Sequence, residues 1–260
     1  MRVLVNGGDT FVATGGKDFD VKLPAVVFLH GAGMDHTVWG LLARAFAHHG
    51  HAVLAPDFPG HGRSAGAPLT SIGALADWTA ALIEASGASV ARIVGHSMGS
   101  LAALETAARH PSKVTGLGLI ATTATMRVSD DLLNAAKAND HAAVDMMAIW
   151  GEGYRATLGG SQAPGLWMLG GAERLLERAR PGAIFADLSA CNAYPDALSA
   201  AAKIDVPAIV IQGSRDLMTP AKGGKALAAA IRNCRLALIE GGGHMLMSER
   251  PDEVLAALRN

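Results

Sequence analysis

Short apolar runs rich in β-branched residues recur along the chain, at residues 25–29, 52–55, 92–94, 116–120, 208–211 and 236–239. Hydrophobicity within them is continuous rather than alternating, which predicts strands covered on both faces, as in a parallel sheet. Between them, residues 38–49, 72–86, 98–109, 221–231 and 251–258 place apolar side chains at helical spacing. Ser248, Glu249 and Pro251 supply helix-start chemistry ahead of the last of these. Strand and helix alternating in this way predict an α/β fold with a doubly wound, mostly parallel sheet. Near the start, Gly7-Gly8-Asp9 lies between Val-rich runs, the pattern of an antiparallel hairpin at one edge.

The alternation stops between residues 122 and 194. Helical patterns continue there (131–137, 142–150, 172–178), together with Met126, Met146, Met147, Trp150, Trp167, Met168 and Phe185. We therefore expect a core domain built from residues 1–121 and 195–260, interrupted by a helical lid at 122–194. An insertion between two strands of such a sheet sits over the strand ends, where open α/β sheets bind their ligands. Packing of the insertion onto the body accounts for most of its large apolar groups.

Composition narrows the class. The chain has 260 residues, 50% of them hydrophobic and 17% charged, with a formal net charge of −1. That length buries a sizeable core without disulfide or metal. Mean hydropathy is +0.26, yet no run of about 18 apolar residues occurs, so no membrane span is expected. The opening residues turn polar too early for a signal peptide. Near-neutral charge provides no basic surface for a phosphate backbone, so nucleic acid is not an expected partner. Cys191 and Cys234 lack metal-ligand spacing and read as two thiols in a reducing cytoplasm. Oligomeric state leaves no mark in the sequence.

The chemistry concentrates at strand ends. After 92–94 comes Gly95-His96-Ser97-Met98-Gly99 and then a helical run. Strand, sharp turn and helix give this G-x-S-x-G its meaning, because the turn presents the serine while its glycines let strand and helix approach. A serine hydroxyl needs a base, and the base needs an orienting group. Asp216 follows the run 208–211, and His244 follows 236–239 on the glycine-rich loop Gly241-Gly242-Gly243. All three residues should therefore emerge on one sheet rim, in the chain order Ser, Asp, His. Acyl transfer also requires donors for a tetrahedral oxyanion. The N–H of Met98 is one candidate, and the N–H of Ala32, in His30-Gly31-Ala32-Gly33, is the other. Gly31, Trp39, Met126, Trp150 and Met245 are the candidate pocket residues.

Taken together, His30-Gly31-Ala32-Gly33, Asp57-Phe58-Pro59-Gly60-His61-Gly62-Arg63-Ser64, the serine pentapeptide, Asp216 and Gly242-Gly243-His244-Met245 resemble the α/β-hydrolase superfamily. Within it, the pattern is most similar to esterase-like members with a short helical cap. The resemblance implies Ser97 as nucleophile, His244 as general base and Asp216 as orienting acid. The apolar lid suggests a small, fairly hydrophobic ester, lactone or thioester as substrate, and the acyl-enzyme steps call for no cofactor or metal. Ser100 departs from the further glycine that many relatives carry there.

Other residues have plainer readings. Asp57 also follows a strand, but its Pro-Gly setting marks a structural turn. His30, His61 and His96 read as hydrogen-bonding loop props, and His48, His49 and His51 as a solvated helix end rather than a metal cluster. No phosphate-binding or dinucleotide-binding glycine motif is present. On the same scaffold the triad is equally compatible with carbon–carbon bond hydrolysis or a cofactor-free perhydrolase (haloperoxidase) reaction. A non-catalytic ligand receptor would more often have lost a triad member.

Overall fold

The computed structural model describes residues 1–160, 167–195 and 197–259. Eight strands form one sheet in the order β1-β2-β4-β3-β5-β6-β7-β8. They are β1 (Arg2–Val5), β2 (Gly8–Ala13), β3 (Ala25–Leu29), β4 (Ala52–Pro56), β5 (Ala91–His96), β6 (Val114–Ile120), β7 (Ala208–Gly213) and β8 (Cys234–Ile239). Strands β4 to β8, with β3 among them, pair in parallel, while β1 and β2 add an antiparallel hairpin. The hairpin turns on Asn6 and Gly7, both at positive φ (49° and 79°), as a two-residue turn that follows strand twist requires.

Continuous hydrophobicity translates into burial on both faces for β3, β4 and β7. β8 departs from that expectation. It is the edge strand, and Leu236 and Leu238 remain exposed there. Helices α1 (Gly40–His48), α2 (Ile72–Ala85), α3 (Met98–Arg109), α10 (Ala221–Ala230) and α12 (Pro251–Arg259) flank the sheet. The start of α12 differs from the expected one. Ser248 and Glu249 belong to a separate one-turn helix, α11 (Leu246–Glu249), where Ser248 Oγ donates to Met245 O.

Between β6 and β7 the described residues hold helices only: α4 (Asp130–Ala138), α5 (Ala142–Gly151), α6 (Tyr154–Thr157), α7 (Met168–Glu177), α8 (Ala183–Asn192) and α9 (Ala197–Ala201). Residues 161–166 of the expected lid lie outside the described residues. α4 opens on a Ser129 cap and closes on Asn139 in the left-handed region. The link between α7 and α8 grips the body through polar contacts. Arg178 pairs with Asp35 at 3.0 Å, and Arg180 donates to Ser64 O at 2.7 Å. Among the described residues no helix is long and apolar enough to cross a membrane.

Candidate active site

Ser97 stands between β5 and α3 with φ 52° and ψ −119°, a strained conformation for a residue with a side chain. The crowding around it explains both motif glycines. A Cβ on Gly95 would collide with the Gly99 carbonyl, and one on Gly99 with the carbonyls of Leu29 and His30. Ser100, where a glycine is common, is fully buried, and its hydroxyl donates to Ser97 O at 2.6 Å. The backbone is thereby braced directly beneath the serine.

Asp216 follows β7 and collects four donors. Oδ1 accepts from Met218 N (2.8 Å) and Thr219 N (2.7 Å); Oδ2 accepts from Thr219 Oγ1 (2.6 Å) and from His244 Nδ1 (2.9 Å). Burial pushes its carboxyl upward, but the charge and hydrogen bond of His244 and the bonds from Thr219 outweigh it, so the group stays below its ordinary value. Since Nδ1 of His244 faces a carboxylate, the ring's other nitrogen, Nε2, is the one left to act as a base.

The loop that carries His244 is fixed from three sides. His244 N donates to Gly151 O at 2.9 Å, at the end of α5. His96 Nε2 donates to His244 O at 3.0 Å, with the rings 4.7 Å apart. Glu249 accepts the N–H groups of Gly243 (3.0 Å) and Gly153 (3.1 Å). Gly213 admits this packing, because a Cβ there would meet the carbonyls of Gly242 and Gly243. Burial, and next the neighbouring His244, hold the His96 pKa down at about 3, so its ring is a neutral donor. Burial and His61 likewise lower His30 to about 4. Its Nε2 accepts from Phe58 N while Nδ1 faces Gly31 O.

A cavity of about 210 Å³ separates these groups from the inserted helices. Ser97, His244, Ala32, Thr219 and Met245 line it from the body; Met126, Leu132, Met147, Trp150, Leu175, Leu188 and Cys191 line it from the insertion. Arg127 lies at its exposed rim. Ser97 and His244 thus face one space, although no hydrogen bond joins Ser97 Oγ to the imidazole in this resting geometry. Nor do the amides of Ala32 and Met98 donate to any group among the described residues, which leaves both free for a ligand oxygen.

Two expected pocket residues lie elsewhere. Trp39 is fully buried in the core, 5.1 Å from the Phe28 ring, because the turn His36–Trp39 directs its indole toward β3. Gly31 does not line the cavity; its missing side chain makes room for the ring of His96. Asp57 binds the backbone and ring of His36 and the N–H of Arg63, away from the imidazole of His244. His48, His49 and His51 form no cluster. Among the described residues, the group of side chains at metal-like separation is Asp35, His36 and Asp57 instead. Its ligand atoms are engaged by Thr37, Arg178, Arg63 and one another, which accounts for the arrangement without an ion. Thr219, Leu132, Leu188 and Cys191 escaped the sequence reading. Only the position of Thr219, three residues after Asp216, offered a local signal.

Comparison with known proteins supplies the remaining constraint. Residues 26–257 match the family described as "Alpha/beta hydrolase family". A pimeloyl-[acyl-carrier protein] methyl ester esterase of Chromobacterium violaceum is 31% identical over 245 residues, covering 90% of this chain and 92% of that protein. One of the same name from Xanthomonas campestris is 33% identical, covering 90% and 93%. The enol-lactonase of Burkholderia xenovorans superposes with a TM-score of 0.88 over 100% of this chain and 98% of its own, at 24% identity, a likeness of fold. With its sheet order, its serine turn and these matches, the chain belongs to the alpha/beta hydrolase family and is an esterase-like member of it.

Proposed function

We propose that the chain hydrolyses the ester bond of small, fairly hydrophobic substrates through an acyl-enzyme on Ser97. One observation carries the reading. The Asp216–His244 pair, bonded at 2.9 Å, and the strained Ser97 open onto the same apolar cavity. In this scheme His244 Nε2 takes the serine proton as Ser97 Oγ attacks the carbonyl carbon. The N–H groups of Ala32 and Met98 receive the oxyanion. Collapse expels the alcohol with the proton from His244, and a water molecule then repeats the cycle and releases the acid. Lactones and thioesters present the same carbonyl. The names of the 31–33% identical relatives favour an acyl chain of several methylenes in the cavity. Two cysteines without a disulfide between them fit a reducing compartment such as the cytoplasm.

The test is replacement of the nucleophile. Ser97→Ala should lower kcat on a p-nitrophenyl ester by roughly six orders of magnitude. Asp216→Asn should cost about four, by favouring the wrong imidazole tautomer. A fluorophosphonate should label the wild type at Ser97 and leave Ser97→Ala untouched. Undiminished turnover by a folded Ser97→Ala variant would overturn the assignment.

A further inference from the structure

The inserted helices reach the site at a point that the Ser-His-Asp arrangement does not use. Residues Gly31–Met34 form a tight turn, closed by Met34 N donating to Gly31 O at 3.3 Å, with Gly33 at φ 69°. A positive φ at the third position marks a type II turn, whose central peptide is the Ala32–Gly33 unit. The Ala32 N–H belongs to the preceding peptide, so its position depends on where this turn is anchored. What anchors it is the group facing the Gly33 N–H. That group is Asp187 of α8, whose Oδ2 accepts it at 2.8 Å.

Asp187 is 1% exposed, and its charge has a buried counter-ion. Its Oδ2 lies 2.8 Å from His61 Nε2, and His61 Nδ1 lies 3.0 Å from Pro59 O. Neither a carbonyl nor an ionised carboxylate has a proton to give, so both ring nitrogens donate and His61 is an imidazolium. Burial alone would lower the pKa of His61; the Asp187 carboxylate reverses this and holds it raised. A second contact joins the same elements. A Cβ on Gly33 would stand 2.8 Å from Ile184, one helical turn before Asp187. Further along α8, Leu188 and Cys191 line the acyl cavity. One helix therefore touches both the cavity and the turn.

We propose that Asp187, with His61 as its counter-ion, is a positioning residue: by holding the Gly33 N–H it anchors the 31–34 turn and so fixes where the neighbouring Ala32 N–H stands relative to the reacting carbonyl. The proposal rests on the reading of Ala32 as an oxyanion donor. An anchor of this kind acts on the transition state, where the oxyanion exists, and hardly on ground-state binding.

The experiment uses the full chain with Asp187→Ala, Asp187→Asn and His61→Gln. It reads kcat and KM on p-nitrophenyl butyrate, and affinity for an alkyl boronic acid that forms a tetrahedral adduct at the serine. Asp187→Ala should lose roughly 10- to 100-fold in kcat, somewhat less than deletion of an oxyanion donor costs. KM should stay within about threefold, and boronate affinity should fall in parallel with kcat. Asp187→Asn keeps an oxygen for Gly33 and should retain more activity than the alanine variant. Should Asp187→Ala fail to fold, Asp187→Asn and His61→Gln read the same split. Unchanged kcat and boronate affinity in the folded variants, or a rise in KM alone, overturns the proposal. If Ser97→Ala is inert while the Asp187 variants are fully active, only this inference falls; if Ser97→Ala is active, the reading of the site falls with it.

Discussion

At the scale of single residues, the site is a set of hydrogen bonds with assignable directions. Thr219 is the member whose role is most quantifiable. Its hydroxyl donates to Asp216 Oδ2 at 2.6 Å, the same oxygen that receives His244 Nδ1. A hydrogen bond to a charged group contributes about 1.5–3 kcal/mol, so Thr219→Val should lower kcat by roughly 10- to 100-fold. It should also act on pH dependence. Asp216 is held below its ordinary value against burial, so its orienting charge is complete above the usual carboxylate range and is lost only as pH falls through that lower value. Loss of the threonine hydroxyl raises the group, and the acid limb of the kcat profile should move to higher pH. An unmoved acid limb would assign Thr219 a packing role only. Ser97, Asp216 and His244 were legible as candidates because each directly follows a β-rich run. Thr219 was marked only by its place three residues after Asp216, and a threonine there is ordinary loop chemistry. Trp39, an expected pocket residue, turns its ring into the core instead.

At the scale of elements, the short helix α11 and the end of α5 act as a clamp on the His244 loop. The carboxylate of Glu249 accepts two backbone N–H groups. Beside it, Glu152 is buried with Oε2 unpartnered. Burial, with Glu249 next in effect, pushes the Glu152 carboxyl up to about 8. The linkage has a definite sign. An unfolded glutamate ionises near 4.3, whereas the folded group keeps its proton until about pH 8. Across that window the unfolded chain binds fewer protons than the folded one, so this residue subtracts stability as pH rises, at about 1.4 kcal/mol per pH unit. Glu152→Gln should therefore stabilise the protein increasingly from pH 5 to pH 8, reaching the order of a few kcal/mol at pH 8. Urea titrations at both pH values measure this, and a pH-independent difference would place the Glu152 proton elsewhere. None of this clamp was visible beforehand. α6 and α11 span a single turn, too short to show a period. α8 escaped because Ile184, Leu188 and Cys191 share one face at i, i+4 and i+7, but Ala183, Phe185, Ala186 and Ala190 spread apolar groups over the other faces, so no single stripe stands out. The long strands and the helices α2 and α3 were readable because burial imposes one continuous pattern over many residues.

At the scale of the whole molecule, the sheet rim carries Ser97, Asp216 and His244 while the inserted helices supply most of the apolar wall. The two parts are specified differently. Strand-end residues are tied to local motifs. Wall residues instead come from α4, α5, α7 and α8, and their convergence depends on how those helices seat on the body, which the one-dimensional pattern does not contain. On the proposed acyl-enzyme reading, this division makes acyl preference a property of the insertion. Leu132, buried on α4 and facing the cavity, is the place to test it. Leu132→Phe adds volume to the wall without touching Ser97, Asp216, His244 or the 31–34 turn. One methylene in an apolar pocket is worth about 1–3 kcal/mol. Shortening the cavity should therefore cost the longest accepted p-nitrophenyl ester at least about tenfold in kcat/KM, while p-nitrophenyl acetate, which does not reach the wall, should keep its rate. Thermal unfolding of the same variant separates this from strain, since overpacking that disturbs the fold costs about 1–3 kcal/mol and would depress turnover of every ester alike. A uniform fall across the acyl series at unchanged Tm would mean that chain length is measured elsewhere, and that the helices cover the site without shaping it.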